Sequence, residues 1–139
     1  MTTSTLVDSN ILIDVWGPPG PMTEWSSSVL TFCHGDGPLV INAIVWSELA
    51  PLVAKEASLE RVSARLGFAR EALPWSAAFL AGLAHAQYRR SGGSRERTLP
   101  DFLIGAHASV GGYRLLTRDA ARYSSYFPWL NLMSPETHP

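Results

Sequence analysis

Ser4-Thr5-Leu6-Val7-Asp8-Ser9-Asn10, with Ile11-Leu12-Ile13 directly behind it, decides how the rest of the chain is read. A β-capable run from Thr2 ends in an acid, a hydroxyl and an amide, and the pattern then turns helical. The polar trio therefore falls at the carboxyl end of a strand, the edge where open α/β sheets keep their chemistry. The same residues also suit a plain helix cap, since Asp8 or Ser9 can accept from backbone donors left unpaired in the first turn. The acids further along the chain decide between the two readings.

After a short helix from Asn10 to Trp16, Gly17-Pro18-Pro19-Gly20-Pro21 makes a rigid turn, and Thr23 is placed to cap a second helix through Trp25, Val29, Leu30, Phe32 and Cys33. Leu39-Val40-Ile41 follows a Gly-Pro break as an uninterrupted apolar triplet, as expected of an interior parallel strand. From Asn42 to Lys55 the pattern is helical, with Pro51 expected to kink it. Glu48 lies four residues from both Ile44 and Leu52, so it projects from the apolar side, where an unpaired carboxylate is costly and a metal is one candidate partner. Ser58 to Leu66 and Trp75 to Arg90 read as further helices, the second with Phe79, Leu80, Leu83, Ala84 and Tyr88 as its core stripe. This reading makes an all-helical insertion before the sheet resumes.

Arg89 and Arg90 lead into a Gly-Ser loop that carries Arg95 and Arg97. Four arginines there suit a phosphate backbone, although such clusters are often solvated surface. The loop runs directly into Leu99-Pro100-Asp101, where Pro100 suits a first helical turn and Asp101 complements the helix dipole. Asp101 also shares a face with the small and apolar Ile104, Gly105 and Ala108. His107 reads as a packed helix residue and is left out of the site. Arg114 to Thr117 forms a third short strand, Asp119 follows it as a second acid just past a strand, Ala120 to Tyr126 is helical, and a last strand lies around Leu130-Asn131-Leu132. Asp14 and Asp36 read as surface or turn acids.

Length and composition bound these readings. The 139 residues, 46% hydrophobic and 17% charged, make one compact domain over 1–139. The single Cys33 excludes an internal disulfide and any cysteine-based zinc cluster. No apolar run approaches the roughly 20 residues of a membrane span, and the opening Met1-Thr2-Thr3-Ser4 meets Asp8 too soon for a secretory signal, so a cytoplasmic protein is expected. A net charge of -1 permits a nucleic-acid partner without requiring one. A parallel sheet brings Asp8, Glu48, Asp101 and Asp119 to one edge, where four carboxylates repel one another unless a hard cation neutralises them. Mg²⁺ and Mn²⁺ want such oxygen ligands.

In this order and spacing, Val-Asp-Ser-Asn at 7–10, Ser-Glu-Leu at 47–49, Pro-Asp-Phe-Leu-Ile-Gly-Ala-His-Ala at 100–108 and Leu-Leu-Thr-Arg-Asp at 115–119 resemble the PIN-domain nucleases, and most closely the VapC toxins of bacterial toxin–antitoxin pairs. The resemblance implies an α/β three-layer sandwich with a central, mostly parallel sheet and helices on both sides. It implies that Asp8, Glu48, Asp101 and Asp119 hold one or two Mg²⁺ or Mn²⁺ ions, supported by Asn10 and Thr117. It further implies an endoribonuclease leaving 5′-phosphate and 3′-hydroxyl ends, an antitoxin partner whose anchors include Trp16, Trp25 or Trp46, and a homodimer. Two alternatives stand beside it. A non-catalytic PIN-like module would bind RNA or protein without cutting. An aspartate-based phosphoryl-transfer domain would want a second acid where Asn10 stands and a lysine near the site, whereas Lys55 is the only lysine.

Overall fold

The computed structural model describes residues 2–94 and 97–139. In chain order they form β1 (Thr5–Val7), α1 (Ser9–Trp16), α2 (Thr23–Asp36), β2 (Leu39–Asn42), α3 (Ala43–Leu49), a 3₁₀ turn (Ala50–Leu52) and α4 (Glu56–Arg65). Then come β3 (Ala69–Glu71), α5 (Trp75–Arg90), α6 (Leu99–Gly111), β4 (Arg114–Leu116), α7 (Ala121–Ser124) and β5 (Leu132–Met133). The strands make one sheet in the order β3-β2-β1-β4-β5, every pair parallel, with helices on both sides. The expected three-layer α/β arrangement is therefore the one observed. β1 and β2 are buried along their whole length, which explains why both read as apolar runs rather than as alternating patterns.

β1 lies at the centre. The chain builds the sheet from β1 outward through β2 and β3, then returns to the other side of β1 for β4 and β5. The crevice between β1 and β4 is thus the point where strand order reverses, the usual ligand position in an open parallel sheet. Val7 pairs with Leu116, and the Asp8 amide donates to the Leu116 carbonyl at 2.9 Å, so Asp8 and Thr117 emerge side by side at that crevice.

Several boundaries differ from those the sequence predicts. The stretch after β2 is not one kinked helix: α3 stops at Leu49 and Pro51 falls in the 3₁₀ turn, where a missing amide is tolerated. The segment before α5 is not all helical, because Ala69–Glu71 adds an edge strand to β2. β3 is largely exposed and joins the sheet through its backbone, so it carries no hydrophobic period to read. Thr23 begins α2 instead of capping it; Met22 holds the cap position, and the Thr23 hydroxyl accepts from the Gly20 amide. The last strand is Leu132–Met133, shifted from the expected Leu130–Leu132.

The expected core stripe of α5 holds only in part: Ala84 and Tyr88 are buried and Leu80 packs against the core, but Phe79 and Leu83 turn outward. Ala77, Ala81, Ala84 and Tyr88 are buried, whereas Trp75, Phe79 and Leu83 are 91%, 71% and 56% exposed. Small residues allow α5 to lie close against α6, and the large apolar residues at i, i+4 and i+8 line the outward side.

His107 is fully buried and fastens three elements. Asn42 Oδ1 accepts from the Val45 amide at 3.0 Å, so Asn42 Nδ2 donates to His107 Nδ1, also at 3.0 Å. His107 Nε2–H is then left to donate to Glu71 at 3.1 Å. The Tyr113 hydroxyl donates to the other Glu71 oxygen, a bond that helps push the phenol pKa up to about 12. β2, β3 and α6 are tied together by this chain of polar contacts, and His107 plays a packed role.

Candidate active site

Asp8 directly follows β1 and is 3% exposed. Its Oδ2 accepts from the Tyr123 hydroxyl at 2.7 Å, the Thr117 hydroxyl at 2.9 Å and Asn10 Nδ2 at 3.3 Å. Burial nonetheless raises its pKa above the usual carboxylate range, and the nearby Asp101 charge adds to the rise. The Thr117 hydroxyl, having given its proton to Asp8, accepts from Asn10 Nδ2 at 3.3 Å and from the Asp119 amide at 3.1 Å. Asn10 in turn accepts the Arg118 amide through Oδ1. The predicted supporting pair therefore lies against Asp8 and links it to the strand end that carries Asp119.

Glu48, half-buried on α3, accepts from the Ser9 hydroxyl at 3.0 Å, and the same hydroxyl lies 3.5 Å from Asp8 Oδ1. Burial, Asp8 and Asp101 together raise its pKa. Asp101, 6% exposed in the first turn of α6, closes a capping box with Thr98, accepting from the Thr98 amide at 3.0 Å and its hydroxyl at 3.2 Å. One oxygen of Asp101 caps the helix, and Oδ1 faces Arg122 Nη1 at 3.3 Å. Asp119, half-buried after β4, pairs with Arg122 Nε at 2.9 Å.

The four acids thus gather around one crevice in two linked pairs. Ser9 joins Asp8 to Glu48, and Arg122 joins Asp101 to Asp119. Among the described residues no three His, Cys, Asp or Glu side chains stand close enough to hold an ion as they are. The donor set nevertheless fits a hard cation. It is all oxygen, it belongs to four separate elements, and burial disfavours the charge on two of its members, which an added positive charge would offset.

Sequence reasoning missed Arg122 and Tyr123. They follow Asp119 by three and four residues, the spacing that returns a helix to the same face, and that spacing was the available signal. Gly105 makes the approach of Tyr123 possible: a Cβ there would meet Phe127 at 2.7 Å and Tyr123 at 2.9 Å. Tyr123 is fully buried, and burial together with the Asp8 charge holds its pKa well above the ordinary tyrosine value, so it remains a donor. Asp14 is more than a surface acid, since it accepts from Ser26 at 2.8 Å and from Arg118 at 2.7 Å.

Of the predicted RNA-contact arginines, Arg89 and Arg97 line a cleft of about 490 Å³ with His85, Ser94 and Thr98. Arg90 is exposed at the end of α5, and Arg95 lies outside the described residues. The cleft borders Thr98, which caps the helix that carries Asp101.

A family model described as PIN domain matches residues 5–125. The chain belongs to the PIN-domain family. Members of this family are generally nucleases. Solved structures similar to this PIN domain include VapBC2 from Rickettsia felis bound to a DNA fragment from the promoter, at 18% identity and a TM-score of 0.71, with 95% of this chain and 98% of that chain covered. A toxin–antitoxin complex from Klebsiella pneumoniae matches at 22% identity and a TM-score of 0.68, over 94% and 97%. FitAcB from Neisseria gonorrhoeae matches at 19% and 0.68, over 97% and 99%. No curated protein matches the chain. Among the described residues no helix is long and apolar enough to cross a membrane.

Proposed function

We propose that this PIN domain, acting as one unit over 1–139, is a divalent-metal-dependent endoribonuclease and the toxin of a toxin–antitoxin pair. The observation that carries the reading is the meeting of Asp8, Glu48, Asp101 and Asp119 around the β1–β4 crevice, each tied to another through one intervening side chain. Asp8, Glu48, Asp101 and Asp119 would hold Mg²⁺ or Mn²⁺, directly or through water. When bound, such an ion supplies a water of lowered pKa and a counter-charge for the scissile phosphate. Asn10, Thr117 and Tyr123 fix the orientation of the Asp8 carboxylate, so its lone pairs keep one direction. Arg89 and Arg97 supply positive charge along a cleft that borders the start of the Asp101 helix, which suits an RNA backbone.

The capture of an antitoxin is supported by the similar structures described as toxin–antitoxin complexes. Trp16, Trp25 and Trp46 are half-buried and pack against the core, so each offers only an edge to such a partner. A homodimer is supported by the outward stripe of α5. Phe79 and Leu83 flank Gly82, beside which there is open space, so the face offers its own copy both a projection and a recess. Sedimentation of the purified chain tests that pairing.

Incubating the purified chain with RNA, with Mn²⁺ or with a chelator, tests the central reading. Metal-dependent cleavage that disappears in Asp8→Asn, with the fold retained, is expected. Binding of RNA without cleavage under every metal condition would favour a non-catalytic module.

A further inference from the structure

Two of the four acids are already bridged by a cation that belongs to the chain. Arg122 Nε lies 2.9 Å from Asp119 Oδ2 and its Nη1 lies 3.3 Å from Asp101 Oδ1. These acids come from different elements, the first turn of α6 and the segment after β4, and the guanidinium joins them. Burial works against the charge on Arg122, but Asp101 and Asp119 outweigh it, and the group stays cationic.

Arg122 differs from the groups that hold Asp8. Tyr123 and Thr117 are fully buried and have nowhere else to go, whereas the long Arg122 side chain is 41% exposed. Its partners belong to two of the carboxylates that would hold a divalent ion. A guanidinium and a divalent ion beside the same pair of carboxylates compete, because the two cations repel and each strips water from the oxygens. Once released, the guanidinium remains tethered beside Tyr123 at the mouth of the crevice. The nearest new anion for a planar, two-pronged donor there is a phosphodiester.

We infer that Arg122 is a built-in counter-ion, which holds Asp101 and Asp119 together while the site lacks a divalent ion and transfers to a substrate phosphate when one binds. The inference rests on the metal-site reading above and adds to it a role for a residue outside the four acids.

The test is a Mn²⁺ titration by calorimetry of the full chain and of Arg122→Gln, accompanied by RNA cleavage kinetics and a melting curve. With its competitor removed, the variant should bind Mn²⁺ about fivefold more tightly, the size expected when a half-exposed ion pair no longer has to be broken. Its KM for RNA should rise at the same time, since the phosphate loses a partner. A residue that merely supports the fold would weaken both metal and RNA binding and lower the melting temperature. Arg122→Lys, which keeps one charge but loses the fork, should fall between the two and covers the case in which Arg122→Gln does not fold. Equal or weaker Mn²⁺ binding in a well-folded variant overturns the role of Arg122 alone. Absence of Mn²⁺ binding in the unaltered chain overturns the metal site itself, and this inference with it.

Discussion

Asp8 and Asp119 stand on neighbouring strand ends, yet the protein holds them by opposite means. Asp8 is almost wholly buried and is fixed by neutral donors from Tyr123, Thr117 and Asn10. Asp119 is half-exposed and answered by a charge, Arg122. Neutral donors locked in a core give a carboxylate a fixed direction without cancelling its charge. A flexible cation cancels the charge but can be exchanged. The crevice therefore combines a rigid side and an adjustable side, a useful division for a site that must be pre-shaped and still admit an ion and a substrate.

The sharpest way to break this contrast is to alter the rigid side. Asp8→Asn should abolish cleavage, because the central ligand of the proposed set loses its charge, while circular dichroism shows the fold retained. Tyr123→Phe should have the next largest effect. It removes a buried donor from Asp8 and should cost about 1–2 kcal/mol in urea unfolding. It also removes a bond that favours the ionised form, so Mn²⁺ binding should shift to higher pH.

pH probes the same side without a mutation. Burial places the Asp8 and Glu48 pKa values above those of an unfolded chain. Between the ordinary and the raised values the folded state keeps protons that the unfolded state has released, so stability without metal should fall as pH rises through that window. Mn²⁺ favours the charged forms and should flatten or reverse the slope, which thermal unfolding at several pH values with and without the ion would reveal. The smallest effect belongs to the adjustable side. Asp119→Asn removes one half-exposed partner of Arg122 and should change stability by less than about 1 kcal/mol while slowing cleavage less than Asp8→Asn does. A larger stability loss at Asp119 than at Tyr123 would erase the contrast.

Much of this arrangement was legible in the chain. Leu39–Ile41 announces a parallel strand because it is apolar without alternation, and Asp8 and Asp119 follow strands as expected. β3 was illegible because Ala69-Arg70-Glu71 forms an exposed edge strand through its backbone. The α5 face was legible at Leu80, Ala84 and Tyr88 but misread at Phe79 and Leu83, because large apolar residues are a good guide to burial only when the helix does not pack closely; here alanines make much of the contact. In the site, Asp8 and Asp119 could be found by their position after strands, Asp101 by its place in a first turn and Glu48 by its place among apolar neighbours on a helix. The bridging roles of Ser9, Arg122 and Tyr123 depend on which elements meet across the crevice, and that is set by sheet order, which local patterns do not contain.

The central claim is that the four acids share a divalent ion, and the most direct measurement is a Mn²⁺ binding isotherm for the unaltered chain beside Asp8→Asn. Saturable binding in the first, lost in the second without loss of fold, is the predicted result. An unaltered chain that binds no Mn²⁺, or an Asp8→Asn variant that binds it equally well, would contradict the account.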